Sequence, residues 1–174
     1  MRFPVKYLYA FLAFLFAFGC IYSINVWHQQ RLIEEPLSEA LMQIEGIEDA
    51  KLTNDRKTTE VWITLNEVEN LPQTYESIEK ILQASYKQGS YKINLVDNRD
   101  PYLESVYYKV HFALLEGEKL GNYSTMSEKV FEQLSGEERL KNYRLWVDQK
   151  RIYLLLTTSQ NNLYEVITVA GEEA

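Results

Sequence analysis

The sequence predicts a chain of the α+β class, with an N-terminal transmembrane helix followed by an αββαβ two-layer module and a second helix-plus-antiparallel-meander module. Three observations predict this: an apolar run over 7–27, an αββαβ order of helical and strand patterns over 36–98, and helical patterns followed by three strands over 100–170. Cys20 is the only cysteine, so no disulfide can form within the chain and hydrophobic cores must hold the modules together.

The apolar run over 7–27 has the length of a membrane-spanning helix. At about 1.5 Å per residue it extends about 31 Å, and the hydrocarbon core of a bilayer is about 30 Å thick. Arg2 and Lys6 precede it, so the positive-inside rule predicts a single-pass protein of the cell membrane with a cytoplasmic N terminus, an anchor within 1–30 and an extracytoplasmic C-terminal domain. Two alternatives stay open: a cleaved secretory signal, and a lipoprotein signal with a lipid on Cys20.

Acidic side chains outnumber basic ones. The chain has 25 Asp and Glu residues against 18 Lys and Arg residues, and its net charge at pH 7 is −7. Nucleic-acid binding requires a basic patch, and the sequence contains no Lys/Arg cluster, so no nucleic-acid partner is expected. The expected partners are the lipid bilayer, contacted through 7–27, and a protein partner or a second copy of the chain. A small-molecule ligand is the alternative.

The first module combines two helical patterns with three strand patterns. Pro36 suits the first turn of a helix that Gly46 ends, and Asn70 can cap a second helix. Two alternating apolar runs with a polar turn between them predict a hairpin. The predicted order is helix 36–45, strands 47–53 and 59–65, helix 71–86 and strand 91–96.

Short motifs within this module resemble a known family. They read IEGIEDAK at 44–51, VWITL at 61–65, IEKIL at 78–82 and INLVD at 93–97. In the first, Gly46 permits a tight exit from the helix and Ile47 returns the chain to the core. The motifs resemble the ring-building motif of type III secretion inner rings, flagellar membrane rings and sporulation channels. The resemblance, limited to 36–98, implies assembly in a bacterial envelope, with helices 36–45 and 71–86 against the sheet of a neighbouring copy.

The second module begins after a polar segment at 97–101 and contains two helical patterns and three strands. The first helix is expected to end at 116 or 118, because Gly117 and Gly121 follow, and Ser124 or Thr125 is expected to cap the second. Strands are predicted over 143–147, 151–158 and 163–169, and the middle one is apolar on both faces, as in the central strand of a meander. One large domain and two small ones are both compatible with these patterns.

Four residues are candidates for a ligand or partner surface, Tyr107, His111, Glu116 and Asn122. The only other histidine, His28, lies at the predicted membrane boundary, so a two-histidine metal site is not expected, and His111 is interpreted as a residue at the edge of the core. No metal, cofactor or catalytic residue is predicted, because no phosphate-binding loop, metal-ligand set or activated nucleophile is present.

These observations predict a membrane-anchored, extracytoplasmic structural or interaction protein of a bacterial envelope, acting in assembly or partner docking without catalysis. The alternative is a ligand-binding or sensory ectodomain. Its site would lie between the two halves, where domain junctions commonly form concave pockets, and would use the four candidate residues.

Overall fold

The computed structural model of the chain describes residues 11, 14–20, 34–55 and 58–169. Its architecture is α+β, with helices packed on two three-stranded sheets. The first half contains α1 (Glu35–Met42), β1 (Ile47–Asp55), β2 (Thr58–Leu65), α2 (Leu71–Ser85) and β3 (Tyr91–Val96). The second half contains α3 (Pro101–Leu120), α4 (Tyr123–Leu134), β4 (Asn142–Val147), β5 (Arg151–Thr157) and β6 (Asn162–Thr168).

The predicted transmembrane helix over 7–27 is not supported. Within the predicted span, residues 11 and 14–20 are helical. Among the residues that the structure describes, no helix is both long enough and apolar enough to span a membrane. The predictions of a membrane anchor, a bilayer contact and a single-pass location are corrected accordingly. Of the predicted span, 7–10, 12–13 and 21–27 lie outside the described residues.

The first sheet has the strand order β1-β2-β3. Strands β1 and β2 form the predicted antiparallel hairpin, and β3 pairs with β2 in parallel, with Val61 opposite Ile93. The parallel pairing requires a crossover, which α2 supplies. In β2 the side chains of Val61, Ile63 and Leu65 are buried, while Trp62 on the opposite face is exposed. One face of the sheet therefore packs on helices and the other does not.

Gly46 makes the predicted tight exit from α1. Its φ of +87° lies in the left-handed region, and a Cβ atom added there would stand 2.8 Å from Cγ2 of Val68. The Gly46 carbonyl accepts a hydrogen bond from the Asn66 N–H at 2.9 Å, and Ile47 then returns to the core as expected. Glycine is required here for both its backbone conformation and its lack of a side chain.

The helices of the second half differ in detail from the prediction. Helix α3 continues through Gly117 to Leu120 and ends at Gly121, which has a left-handed φ of +65°. Gly117 does not break the helix because it lies against α4, where an added Cβ atom would stand 2.4 Å from Sδ of Met126. The cap of α4 is Asn122, and neither Ser124 nor Thr125 has that role.

Strand β5 is buried on both faces, as its sequence predicts. On one face, Ile152 and Leu154 belong to a core formed with α3 and α4. On the other face, Tyr153 and Leu155 pack with the core of the first half, which includes Ile78 of α2. The second sheet therefore lies between the first half and the α3–α4 pair, and the two halves share hydrophobic packing.

The polar segment between the halves is held by hydrogen bonds. The Asp97 carboxylate accepts the backbone N–H of Tyr164 at 3.0 Å and the Arg99 guanidinium at 2.7 Å. The Tyr164 hydroxyl donates to the carbonyl of Asn66, across the junction of the halves. The Asn98 side chain accepts the N–H of Asn162, the first residue of β6, at 2.6 Å. The segment therefore fixes β6 beside the first half.

Candidate functional site

The outer face of α3 carries a continuous row of large apolar and aromatic side chains, Tyr108, His111, Phe112 and Leu115, here called the aromatic stripe. Phe112 is 76% exposed, Tyr108 59% and Leu115 41%. Successive helical residues are separated by about 100°, so these four positions fall within one sector of the helix. The buried residues of α3 lie on the opposite side, among them Val106, Val110, Leu114 and Gly117.

The rings of the stripe support one another. The His111 ring lies 6.2 Å from the Tyr108 ring and 5.6 Å from the Phe112 ring, measured between centroids. Nδ1 of His111 is 3.0 Å from the hydroxyl oxygen of Tyr107, a buried residue beside the stripe. Burial raises the pKa of Tyr107 to about 12, so its hydroxyl keeps its proton at neutral pH. Tyr107 therefore positions the imidazole at the edge of the stripe and is not itself accessible to a ligand.

Charged residues of opposite sign flank the stripe along the same helix face. Glu104 lies one turn before Tyr108, and its carboxylate is 3.5 Å from Nη1 of Arg99. Lys119 lies one turn after Leu115, and within the described residues it forms no ion pair. The order of these two charges is the one that the helix dipole favours, with an acidic side chain nearer the N terminus of α3 and a basic one nearer its C terminus.

The other two predicted site residues have structural roles. Glu116 pairs with Lys129 of α4 at 2.6 Å, and the Asn122 side chain accepts the N–H of Thr125 as a helix cap. Both line a cleft between α3 and α4 with a volume of about 20 Å³, which holds no more than about one water molecule. The structure thus brings Tyr107 and His111 to the stripe, and leaves Glu116 and Asn122 outside it.

Sequence reasoning missed Tyr108, Phe112 and Leu115. Their spacing of four and three residues along one helix was visible in the sequence, and it is the spacing of an apolar helix face. Helix α3 therefore has two apolar faces, whereas a helix that packs on one side only requires one. The second apolar face was the feature of the sequence that could have indicated an exposed apolar surface.

A second concave region lies at the junction of the halves, between α2 and the turn that joins β4 to β5. This junction groove has a volume of about 650 Å³. Arg151 of β5 pairs there with Glu79 of α2, and the Arg151 guanidinium lies 4.7 Å from the centre of the Tyr75 ring. The Tyr153 hydroxyl donates to Asp148 at 2.9 Å. None of the four predicted site residues lines this groove.

The chain matches no protein-family model and no curated protein sequence. Among the described residues there is also no group of three or more His, Cys, Asp or Glu side chains arranged to hold a metal ion.

The resemblance to the ring-building motif stays a prediction. Two side chains of the predicted contact helix 71–86, Tyr75 and Glu79 of α2, contact the second half of the chain. Tyr75 packs against Tyr153 with ring centroids 6.0 Å apart, and Glu79 pairs with Arg151. The second half of the same chain therefore packs against this part of α2.

Proposed function

We propose that this protein is a non-catalytic assembly protein that binds a protein partner through the aromatic stripe of α3. The observation that supports the proposal most directly is the exposure of Tyr108, Phe112 and Leu115 on the face of α3 opposite its core. Contiguous exposed apolar side chains bordered by charged residues are typical of protein-binding surfaces.

Burial of the stripe against a partner would contribute a large favourable free energy of binding for so few residues. Full burial of a side chain such as Phe or Leu contributes about 1.5–3 kcal/mol, and aromatic residues dominate the binding energy of many protein interfaces. A helix that presents apolar residues four and three positions apart is also a common recognition element, because such residues enter one groove or one facing helix. The expected partner surface is an apolar helix face or groove.

Two features of the site favour docking over catalysis. Tyr107 is buried, so it cannot contact a substrate, and His111 lies among aromatic rings at 5.2–6.2 Å. Ring packing of this kind fixes the imidazole of His111 in place. The stripe is therefore suited to contacts with an apolar partner surface.

Small-molecule binding in the junction groove is the second candidate function. The volume of about 650 Å³ suits a small ligand. Against it, the Arg151 guanidinium and the Glu79 carboxylate at the groove bond to each other, and Asp148 accepts the hydroxyl of Tyr153. A charged ligand would have to break these internal contacts, so the stripe is the better supported site.

Hydroxyl-radical footprinting tests the proposal without altering the chain. Oxidation of Phe112 and Tyr108 is measured in the producing cell and in dilute purified protein. Leu120 is a control within the same helix, since it is also highly exposed but projects about 120° away from Tyr108. The expected result is protection of Phe112 and Tyr108 in the cell with no change at Leu120. Equal oxidation of the stripe in both samples would overturn the docking function.

A further inference from the structure

The residues of the aromatic stripe are spaced symmetrically about its midpoint, and its two ends carry opposite charges. Tyr108 and Leu115 lie at equal distances in sequence from the midpoint between His111 and Phe112. Glu104 and Lys119 lie one turn further out on the same face, again at equal distances from that midpoint. A surface with an apolar centre and opposite charges at its two ends is complementary to itself when one copy is reversed.

From this arrangement we infer that the partner of the stripe is a second copy of this chain, paired so that the two α3 helices run antiparallel. The inference rests on the proposed docking function and identifies its partner. A two-fold axis beside His111 and Phe112 places Tyr108 against Leu115 of the second copy. It also places Glu104 against Lys119 of the second copy, and the symmetry forms each contact twice.

Charge distinguishes this arrangement from the parallel one. In a parallel pair with the same centre, Glu104 would face Glu104 and Lys119 would face Lys119, and both contacts would be repulsive. Both groups are accessible for the antiparallel contact. The Glu104 side chain is 39% exposed, and Lys119 forms no ion pair with any described residue.

The contact is small. From 104 to 119, α3 extends about 22 Å, and a single helix pair of that length lies at the low end of specific interface sizes. We therefore expect a dimer with a dissociation constant on the order of 100 μM for the free chain. At low concentration the stripe is exposed, as in the structure of the single chain.

Charge reversal in the full chain tests the pairing, with association followed by sedimentation equilibrium. Glu104→Lys alone and Lys119→Glu alone should each weaken dimerisation about tenfold, because each substitution turns two attractive contacts into repulsive ones. The double variant E104K/K119E should associate like the wild type. An equimolar mixture of the two single variants should also recover the wild-type affinity, since the mixed dimer restores both ion pairs.

A variant of the apolar centre provides the matched control. Phe112→Ser should abolish the dimer at concentrations where the wild type is half associated, and Leu120→Ser, at a similarly exposed position outside the stripe, should leave it unchanged.

The outcomes separate this inference from the function on which it rests. A monomer at every concentration up to about 1 mM, together with protection of Phe112 in the cell, would overturn self-pairing and leave docking to a different protein. A dimer that depends on Phe112 but is insensitive to the charge reversals would overturn the antiparallel register. Loss of both the protection and the dimer would overturn the function itself.

Discussion

Arg151 at the start of β5 and Glu79 in the third turn of α2 form an ion pair that joins the two halves of the molecule. Nη1 of Arg151 lies 3.1 Å from Oε2 of Glu79, and the side chains are 15% and 19% exposed. The guanidinium also packs over Tyr75. Because the pair is largely buried, removal of one partner leaves the other charge with little water and without this counter-ion.

Substitution of Glu79 by Gln should therefore lower the free energy of unfolding by about 2 kcal/mol, measured by urea denaturation, since an uncompensated buried charge costs up to about 3–5 kcal/mol and this one is partly solvated. Glu76→Gln is the matched control. Glu76 pairs with Lys80 on the same helix, but both side chains are mostly exposed, so a loss of no more than about 0.5 kcal/mol is expected. Equal losses in the two variants would contradict a buried junction pair.

Gly46→Ala should destabilise the first half by about 2 kcal/mol. Alanine at a left-handed φ costs about 1–2 kcal/mol, and its Cβ atom would also stand 2.8 Å from Val68. Gly89→Ala separates the two causes, because Gly89 has a φ of +79° but no atom within 4 Å of an added Cβ atom. Thermal unfolding should show a clearly smaller loss for Gly89→Ala, and indistinguishable losses would remove the steric part of the argument.

Gly117→Ala tests the close contact of α3 with α4. Alanine favours a helix over glycine by about 1 kcal/mol, but here the new Cβ atom would stand 2.4 Å from Sδ and 2.6 Å from Cβ of Met126. We expect a net loss of about 1–3 kcal/mol from overpacking. At Gly136, where nothing lies within 4 Å of an added Cβ atom, the alanine variant should not show such a loss. A stabilised Gly117→Ala variant would mean that the helices move apart easily.

Stability should fall steeply above pH 10. Burial raises the pKa values of Tyr107, Tyr153 and Tyr164 to about 12, whereas tyrosine in an unfolded chain has a pKa of about 10. The contribution of these groups is complete below pH 10. Between pH 10 and 12 the unfolded chain releases protons that the folded chain keeps, so the free energy of unfolding decreases as pH rises, by up to about 1.4 kcal/mol per pH unit for each tyrosine.

The variant Tyr107→Phe checks this linkage. Its free energy of unfolding, measured in urea at several pH values between 9 and about 11.5, should fall less steeply than that of the wild type, with the slopes differing by about 1 kcal/mol per pH unit near pH 11. Loss of the contact with His111 would shift the whole curve without changing its slope. An unchanged slope would mean that Tyr107 titrates alike in the folded and unfolded chains.

The two faces of α3 should respond differently to truncation. Leu114→Ala, in the core, should cost about 2–5 kcal/mol of unfolding free energy, while Phe112→Ser, in the stripe, should change it by less than about 0.5 kcal/mol. Chemical denaturation at low protein concentration makes the comparison. A large loss for Phe112→Ser would mean that the stripe packs within the same chain and is not free for a partner.

Local patterns in the sequence were sufficient for the elements that depend on local physics. The hairpin of β1 and β2 and the doubly buried β5 follow from apolar periodicity, and Gly46 follows from the backbone conformation that a helix exit requires. The same reasoning failed at Gly117, because a glycine that ends one helix can elsewhere let two helices approach closely. The predicted span over 7–27 is not supported either, because no helix among the described residues is long and apolar enough to cross a membrane.

Which surfaces are covered and which are exposed depends on contacts between segments that are distant in the sequence. Glu79 and Arg151 lie 72 positions apart, and no local pattern pairs them. Tyr108 and Phe112 are apolar like the core residues of α3, so their exposure depends on where α4 and the second sheet pack. Periodicity and backbone preference were enough to predict most helices and strands and the core of each half, but not the end of α3 or the cap of α4. The junction and the aromatic stripe depend on packing between distant segments, which periodicity does not encode.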